Sequence, residues 1–373
     1  MKLNIAVQCS PNFAHHPHVI PIVDNLLLRK GVNIYIYYLN SSDLHGFLKY
    51  RNNENVFFIK SGGYAPLKFS LMVEFCTRYF RKILTQINDL NLELMASFGF
   101  LKKMDAIIFT DLVSGRIIKK INPSTKVLWA LHGPIASSHM GSKSIEEVDI
   151  ILTQGRQTSE CFYKSGISKE KVREIGSVKL SSFKDHSDKI IFNNNRETVL
   201  YNPHFNSRLG GTSWYKYGHD LIEYFANSKE YNLIFAPHPN LSNNIDSFII
   251  DKYSNYENVI IDLGSDKVAN LFYCKETDIY IGDISSQVLE FIYLKERKLI
   301  FINDENISDE SKRIHALGIV IDRLDELNHA LKLEFTEENK IRQRAFIDNV
   351  FSNNVACSAK AASDIIYASI CDR

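Results

Sequence analysis

The chain has little of what marks specialised architectures. Its 373 residues include only 9 prolines, too few for long disordered linkers, and contain no block of five or more like charges. Lysine and arginine total 44 against 43 aspartates and glutamates, so the formal charge is +1 and the strong basic excess of a duplex-binding protein is missing. No stretch approaches the roughly 18 apolar residues of a membrane span. The opening run Leu3–Val7, broken by Gln8, Ser10 and Pro11, is too short for a signal peptide. Work at a membrane would therefore be done from its surface. The six cysteines (Cys9, Cys76, Cys161, Cys274, Cys357, Cys371) are widely scattered with no Cys-x-x-Cys pair, the pattern of reduced thiols in a cytoplasmic protein. With no fixed-period repeat, solenoids and propellers are excluded as well.

What is present is alternation. At about 150 residues per domain, the length allows two or three domains, each able to bury its own core. A short apolar strand, Leu3–Val7, leads through a polar turn to a helix-period segment, Val19–Arg29, then to Gly31 and a second strand, Asn33–Leu39. Strand, helix and strand with a glycine stop make a βαβ unit. Further strands are expected at Val56–Ile59, Ala106–Thr110, Lys126–Leu131 and Ile150–Thr153, with helices over Leu67–Phe98. After the polar stretch 181–197 a second series begins: strands at Thr198–Tyr201, Tyr231–Ala236, Val259–Asp262, Ile279–Gly282 and Leu299–Ile302. Helices are expected at His219–Ala226, Lys267–Cys274 and Ser286–Leu294, and Asn206–Gly218 reads as a loop. The tail is helical without a further strand.

The expected architecture is thus α/β, with two Rossmann-like lobes facing across a cleft: 1–180, a hinge at 181–197, 198–335, and helices over 336–373 bracing the two lobes. Ligands in such sheets lie outside the carboxyl ends of the strands, which directs attention to five loops.

The first loop, Gln8–His18, carries His15, His16 and His18; their spacing in a Pro-containing loop without acidic or cysteine companions argues against a metal site. It is a candidate for acceptor or phosphate contact, with His16 the residue singled out, against the alternative of a plain surface loop. In the second, His132 ends a buried strand and is followed by Gly133-Pro134. Such a histidine is either a structural hydrogen-bonding group or a base positioned to take a proton from a hydroxyl, with Gly133 beside the substrate. In the third, His204 is either a substrate contact or a turn stabiliser. In the fourth, two prolines lock the backbone around His238, ahead of Asn240, an arrangement suited to holding a diphosphate. The fifth, Gly282-Asp283-Ile284-Ser285-Ser286, opens a helix whose first amides form an anion site, with Glu290 one turn in to bridge ribose hydroxyls; the alternative is a plain helix cap.

Taken in order, these segments resemble the CDP-glycerol glycerophosphotransferases of teichoic-acid-type synthesis. The resemblance covers roughly Val127–Ile302. It rests on His132-Gly133-Pro134, on the stretch from Ile150 to Gly176, and on Tyr217-Gly218-His219. It continues through His238-Pro239-Asn240 and Asp283-Ile284-Ser285-Ser286, followed by the apolar Val288–Leu294 helix and the Leu299–Ile302 strand. The chain departs from the family at Pro134-Ile135-Ala136-Ser137, at Asn202-Pro203-His204-Phe205, and in having Glu290 where aspartate is usual. The resemblance implies a GT-B fold, an acceptor lobe followed by a nucleotide-donor lobe, and transfer of glycerol phosphate from CDP-glycerol to a glycan or lipid-linked hydroxyl. It implies His132 as general base and His238 as the histidine that holds the donor phosphates. Pro239, Asn240, Asp283, Ser285, Ser286 and Glu290 would then contact the donor. It implies no cofactor, no nucleic-acid partner, and a cytoplasmic place with peripheral contact at the inner membrane face. The alternative chemistry on the same fold is a glycosyltransferase using a CMP- or UDP-sugar, with Asp111 or Asp283 as candidate carboxylates.

Overall fold

A computed structural model describes residues 2–10, 12–60, 98–111, 115–134, 145–183, 191–205, 213–242, 244–303, 309–352 and 354–371. The chain forms two compact units, Met1–Ser182 with Val350–Arg373, and Phe183–Asn349.

Unit 1 contains β1 (Leu3–Gln8), β2 (Val32–Tyr38), β3 (Val56–Lys60), β4 (Ala106–Phe109), β5 (Lys126–Ala130), β6 (Ile150–Thr153) and β7 (Val172–Glu174). All pair in parallel, in the order β3-β2-β1-β4-β5-β6-β7. Because side chains alternate along a strand, neighbouring residues feed opposite faces of the sheet. Ile5, Val7, Ile34, Ile36, Ile108 and Leu128 face one core, whereas Ala6, Tyr37, Ile107, Phe109, Val127 and Trp129 face another. The first core is closed by the helix Ile20–Leu27, through Ile22, Val23 and Leu26, and by the C-terminal helix Ser358–Cys371, through Ala362, Ile366 and Ile370. Burying each of these isoleucines contributes about 1.5–3 kcal/mol.

Unit 2 contains β8 (Glu197–Asn202), β9 (Tyr231–Phe235), β10 (Val259–Ile261), β11 (Ile279–Gly282), β12 (Lys298–Ile302) and β13 (Ile319–Ile321), again all parallel, in the order β10-β9-β8-β11-β12-β13. Counted from its own first strand, this is the order 3-2-1-4-5-6 of the dinucleotide-binding fold, and the first six strands of unit 1 follow it too. In each sheet the connections run opposite ways from the first strand, so a crevice opens at the carboxyl ends of β1 and β4 in one unit and of β8 and β11 in the other.

Several local expectations change. Strands β7 and β13 are additions of three residues each, at one edge of their sheets. The loop expected over Asn206–Gly218 is helix from Ser213 onward, within Ser213–Ala226. Gly218 serves there as a packing residue, because a Cβ would lie 2.2 Å from the Trp214 ring. The helix expected at Lys267–Cys274 is two short ones, Asp266–Ala269 and Phe272–Glu276, separated by Leu271 at φ 66°. The helices expected over Leu67–Phe98 lie outside the described residues except at the last position, where Phe98–Leu101 begins.

Candidate active site

The carboxyl ends of β1, β4 and β5 bring three side chains together in unit 1. The loop after β1 winds into a 3-10 helix, Phe13–His18, started by Asn12, whose side chain accepts from the Ala14 amide. One turn of such a helix is three residues, so His15 and His18 share a face and His16 lies on another. His15 stacks on His132, with ring centroids 3.9 Å apart and 12° between planes, and His18 meets the same ring edge-on at 6.5 Å. Asp111, just past β4, lies 3.1 Å from Nδ1 of His15.

The hydrogen bonds fix the proton positions. Thr110 O can only accept, so His132 carries a proton on Nδ1, donated to it at 3.0 Å, and presents Nε2 as the basic nitrogen. Thr158 Oγ1 donates to Pro134 O at 2.7 Å and holds the turn through the buried Gly133. Since Oδ1 of Asn12 accepts from Ala14, its Nδ2 is the group that faces His15 Nε2 at 3.2 Å, while Nδ1 of His15 faces the Asp111 carboxylate at 3.1 Å. Burial alone would raise the Asp111 carboxyl, but the hydrogen bond and charge of His15, then the charge of His132 and a hydrogen bond from Ser10, hold it well below its ordinary range. An ionised Asp111 in turn favours positive charge on His132 once that ring has taken a proton.

The donor atoms of His15, Asp111 and His132 lie within 4.8 Å of one another, a spacing a cation can use. The residues do not otherwise fit one. Near-parallel rings, with centroids 3.9 Å apart, keep their in-plane lone pairs in two stacked planes rather than aimed at a common point, and both Nδ1 atoms are engaged.

His16, the residue of this loop singled out from sequence, turns inward. It is buried, Nε2 donates to Ser10 O at 2.9 Å, and its ring packs edge-on against Phe47. His15 and His18 occupy the face expected of it. The signal available in the sequence was their spacing of three, which has meaning only once the segment is known to be helical.

In unit 2 the ends of β8 and β9 stay joined beyond the sheet, through Ala236 N–H to Tyr201 O and His238 N–H to Pro203 O, both 3.0 Å. This brings His204 and His238 together, with centroids 4.8 Å apart, and Phe205 packs against both rings at 4.7 and 4.6 Å. Nδ1 of His238 accepts from the Asn240 amide at 3.1 Å, so in the neutral ring the proton sits on Nε2, a donor. Pro239 and Asn240 begin the short helix Pro239–Ser242, whose Leu241 and Ser242 amides return to His238 O.

Asp283 is buried, and its carboxylate oxygens accept from the amides of His204 at 2.8 Å and Ser213 at 3.2 Å. It ties the His204 and Ser213 amides to the end of β11 and acts as a positioning group. Ser285 caps the helix Ser286–Leu294 by its backbone alone. Its hydroxyl is buried beside Tyr280, but the Tyr280 proton goes to Asp283 O at 2.8 Å, leaving Ser285 Oγ with no hydrogen-bond partner among the described residues. Ser286 is half-buried at the helix start, and Glu290 is buried one turn in. Gly282, at φ 149°, lets β11 approach β8: a Cβ would lie 2.7 Å from Asn202 O.

Strand order and site position define a GT-B-like fold. Among solved structures, the chain is similar to the wall teichoic acid polymerase TagF (12% identity, 99% of this chain and 89% of that one, TM-score 0.64). It is also similar to UDP-GlcNAc 2-epimerase from Neisseria meningitidis bound to UDP-GlcNAc (12%, 98% and 100%, TM-score 0.63) and to MnaA of S. aureus with UDP (12%, 99% and 96%, TM-score 0.62). No family model matches the sequence, and no curated protein matches it. Among the described residues, no helix is long and apolar enough to cross a membrane.

Proposed function

We propose that the chain is a transferase of cell-surface polymer synthesis that moves glycerol phosphate from CDP-glycerol to a hydroxyl of a glycan or lipid-linked acceptor. His132 Nε2 takes the hydroxyl proton as the oxygen attacks the β-phosphorus. The bond from that phosphorus to the bridging oxygen breaks, and CMP leaves with the electron pair. Asp111, through His15, favours the imidazolium that results. His238 Nε2–H and the first amides of Ser286–Leu294 stabilise charge on the diphosphate, with Pro239 and Asn240 framing it and Glu290 toward the ribose. Asp283 holds the loop of His204 in position. The observation that supports this reading is the tautomer of His132, whose Nδ1 proton is committed to Thr110 O at the carboxyl edge of the sheet, so that Nε2 is the nitrogen able to accept a proton.

The acceptor would bring the enzyme to the inner face of the membrane as a peripheral protein. A second reading, transfer of a sugar from a CMP- or UDP-sugar, is favoured by the similar structures that hold UDP or UDP-GlcNAc. Incubation with CDP-glycerol, CMP-sugars and UDP-sugars, with the released nucleotide resolved by chromatography, separates them. CMP from CDP-glycerol, with glycerol phosphate on the acceptor, supports the first reading. UDP release, or CMP release from a CMP-sugar alone, supports the second.

A further inference from the structure

The carbonyl that fixes His132 is shared. Thr110 is buried just past β4, and two donors converge on its oxygen: Nδ1–H of His132 at 3.0 Å and Nε1–H of Trp129 at 3.1 Å. Trp129 belongs to β5, is buried, and stands three residues before His132. Its ring packs in the core of Phe109, Val127 and Phe162, meeting Phe162 edge-on with centroids 5.8 Å apart. That packing accounts for a large ring at this position but does not call for an indole. A buried indole N–H needs an acceptor, and Thr110 O supplies it. The oxygen has two lone pairs, so both bonds form, but a second donor draws on the same atom and weakens what it offers the first.

We propose that Trp129 is a positioning residue that lowers the basicity of His132 through the shared Thr110 carbonyl; this rests on the transferase reading above, in which His132 takes the acceptor's proton. Two effects have the same sign. The indole N–H competes for an oxygen whose bond to Nδ1–H strengthens when the imidazole becomes an imidazolium, so the charged ring gains less from it. The positive end of the N–H dipole also points at the atom to which the imidazolium presents its own N–H, and this opposes the charge. Among the described residues, the titratable groups facing His132 are His15, stacked on its ring, His18, edge-on at 6.5 Å, and Asp111, with Lys179 acting in turn on His18. The anion of this set is Asp111, and it pulls the other way. Trp129 is its counterweight: Asp111 favours the charged ring formed by proton transfer, and Trp129 keeps the resting ring neutral, and able to accept, to lower pH.

The full chain, carrying isotope-labelled histidine, is titrated by NMR, and the His132 ring signal is assigned by its loss in His132→Gln. Trp129→Phe keeps a ring against Phe162 and removes the N–H. The expected result is that the His132 midpoint rises by about 0.5 pH unit, and that kcat/KM for CDP-glycerol, relative to wild type, falls about threefold more on the acid limb of the pH profile than on the plateau above it. If Trp129→Phe fails to fold, replacing the indoles by benzothiophene, which keeps the ring outline and puts sulfur where the N–H was, carries the same comparison; the other tryptophan, Trp214, belongs to unit 2. A midpoint that stays or falls overturns the proposal, and an equal loss of rate at every pH would leave Trp129 as packing alone. A raised midpoint in a protein that does not turn over CDP-glycerol would sink the transferase reading and leave the link from Trp129 to His132 standing. Turnover whose acid limb and His132 midpoint ignore the variant would do the opposite.

Discussion

The ring of His15 lies flat against that of His132, centroids 3.9 Å apart, and Nδ1 of His15 is 3.1 Å from Asp111. One imidazole is thus a platform for the other, and the pair should separate by mutation. His132→Ala is expected to lower transfer about 10²–10⁴-fold, the range for loss of a general base. His15→Phe keeps the stack but loses the link to Asp111, and is expected to cost about 10–100-fold in kcat with little change in donor KM. Steady-state kinetics on folded variants checks both, and an unaffected His132→Ala enzyme sinks the assignment.

The histidines buried in unit 1 make stability depend on pH. Burial, followed by the charges of Lys179, His132 and His15, pushes His18 well below its ordinary 6.5, and burial lowers His16 as well. Both stay neutral in the fold. As pH falls below about 6.5 the unfolded chain takes up protons that the folded one refuses, so stability is full above that value and declines below it. Asp111, depressed in the fold, contributes stability that is intact above its ordinary 3.8 and is lost as pH falls through its folded value. Denaturant midpoints should therefore be flat above about pH 7 and fall steadily in acid, with a shallower slope for His18→Phe. An identical slope for that variant would remove His18 from the account.

Asp283 should matter to unit 2 through its two amide partners. Asp283→Ala leaves the His204 and Ser213 amides unpaired and is expected to destabilise by about 2–4 kcal/mol. Asp283→Asn presents an N–H group toward one of two N–H donors and should recover only part of this. Urea unfolding measures both, and a neutral Asp283→Ala would contradict the pinning role.

Gly282→Ala sets a Cβ 2.7 Å from Asn202 O at a φ of 149°, with an expected cost of about 1–3 kcal/mol. Because the strain falls where β8 and β11 deliver their loops, CDP affinity should drop along with Tm. Calorimetric melting and a CDP titration on the same preparation test the coupling.

Chelators offer a further check on the His15, Asp111 and His132 group. Its stacked rings do not converge on a point, so dialysis against EDTA is expected to leave initial rates unchanged, and added Mg2+, Mn2+ or Zn2+ to leave them within about twofold. Loss of activity with EDTA, restored by one ion, would overturn that geometry argument.

The strands were legible because buried parallel strands read as apolar runs, and β6 and β11 fall on the expected residues. His132 and His238 were legible for a related reason, since each directly follows such a run and sits in a proline-containing turn that fixes its position. His15 and Asp111 were harder. Asp111 lies two residues past an ordinary strand, and the side of the chain on which His15 falls depends on a 3-10 winding started by the Asn12 side chain. Lys179 gave no signal, because a lysine in a polar stretch reads as surface until a neighbouring element covers it. Asp283 reads in sequence as a donor contact; that its carboxylate also takes amides 79 and 70 residues away is a relation that only the fold supplies.

The return of Val350–Arg373 to unit 1 bears on synthesis. Residues 183–349 are continuous and can fold as soon as they clear the ribosome, whereas the first 182 lack one wall of their core until Ala362, Ile366 and Ile370 have been translated. Although it is made first, the N-terminal unit is the last to be finished. A chain that stalls or is cut before residue 350 leaves the face of Ile5, Ile22 and Ile34 open to chaperones and proteases, so the unit that carries His132 is completed only once translation has passed Ile370.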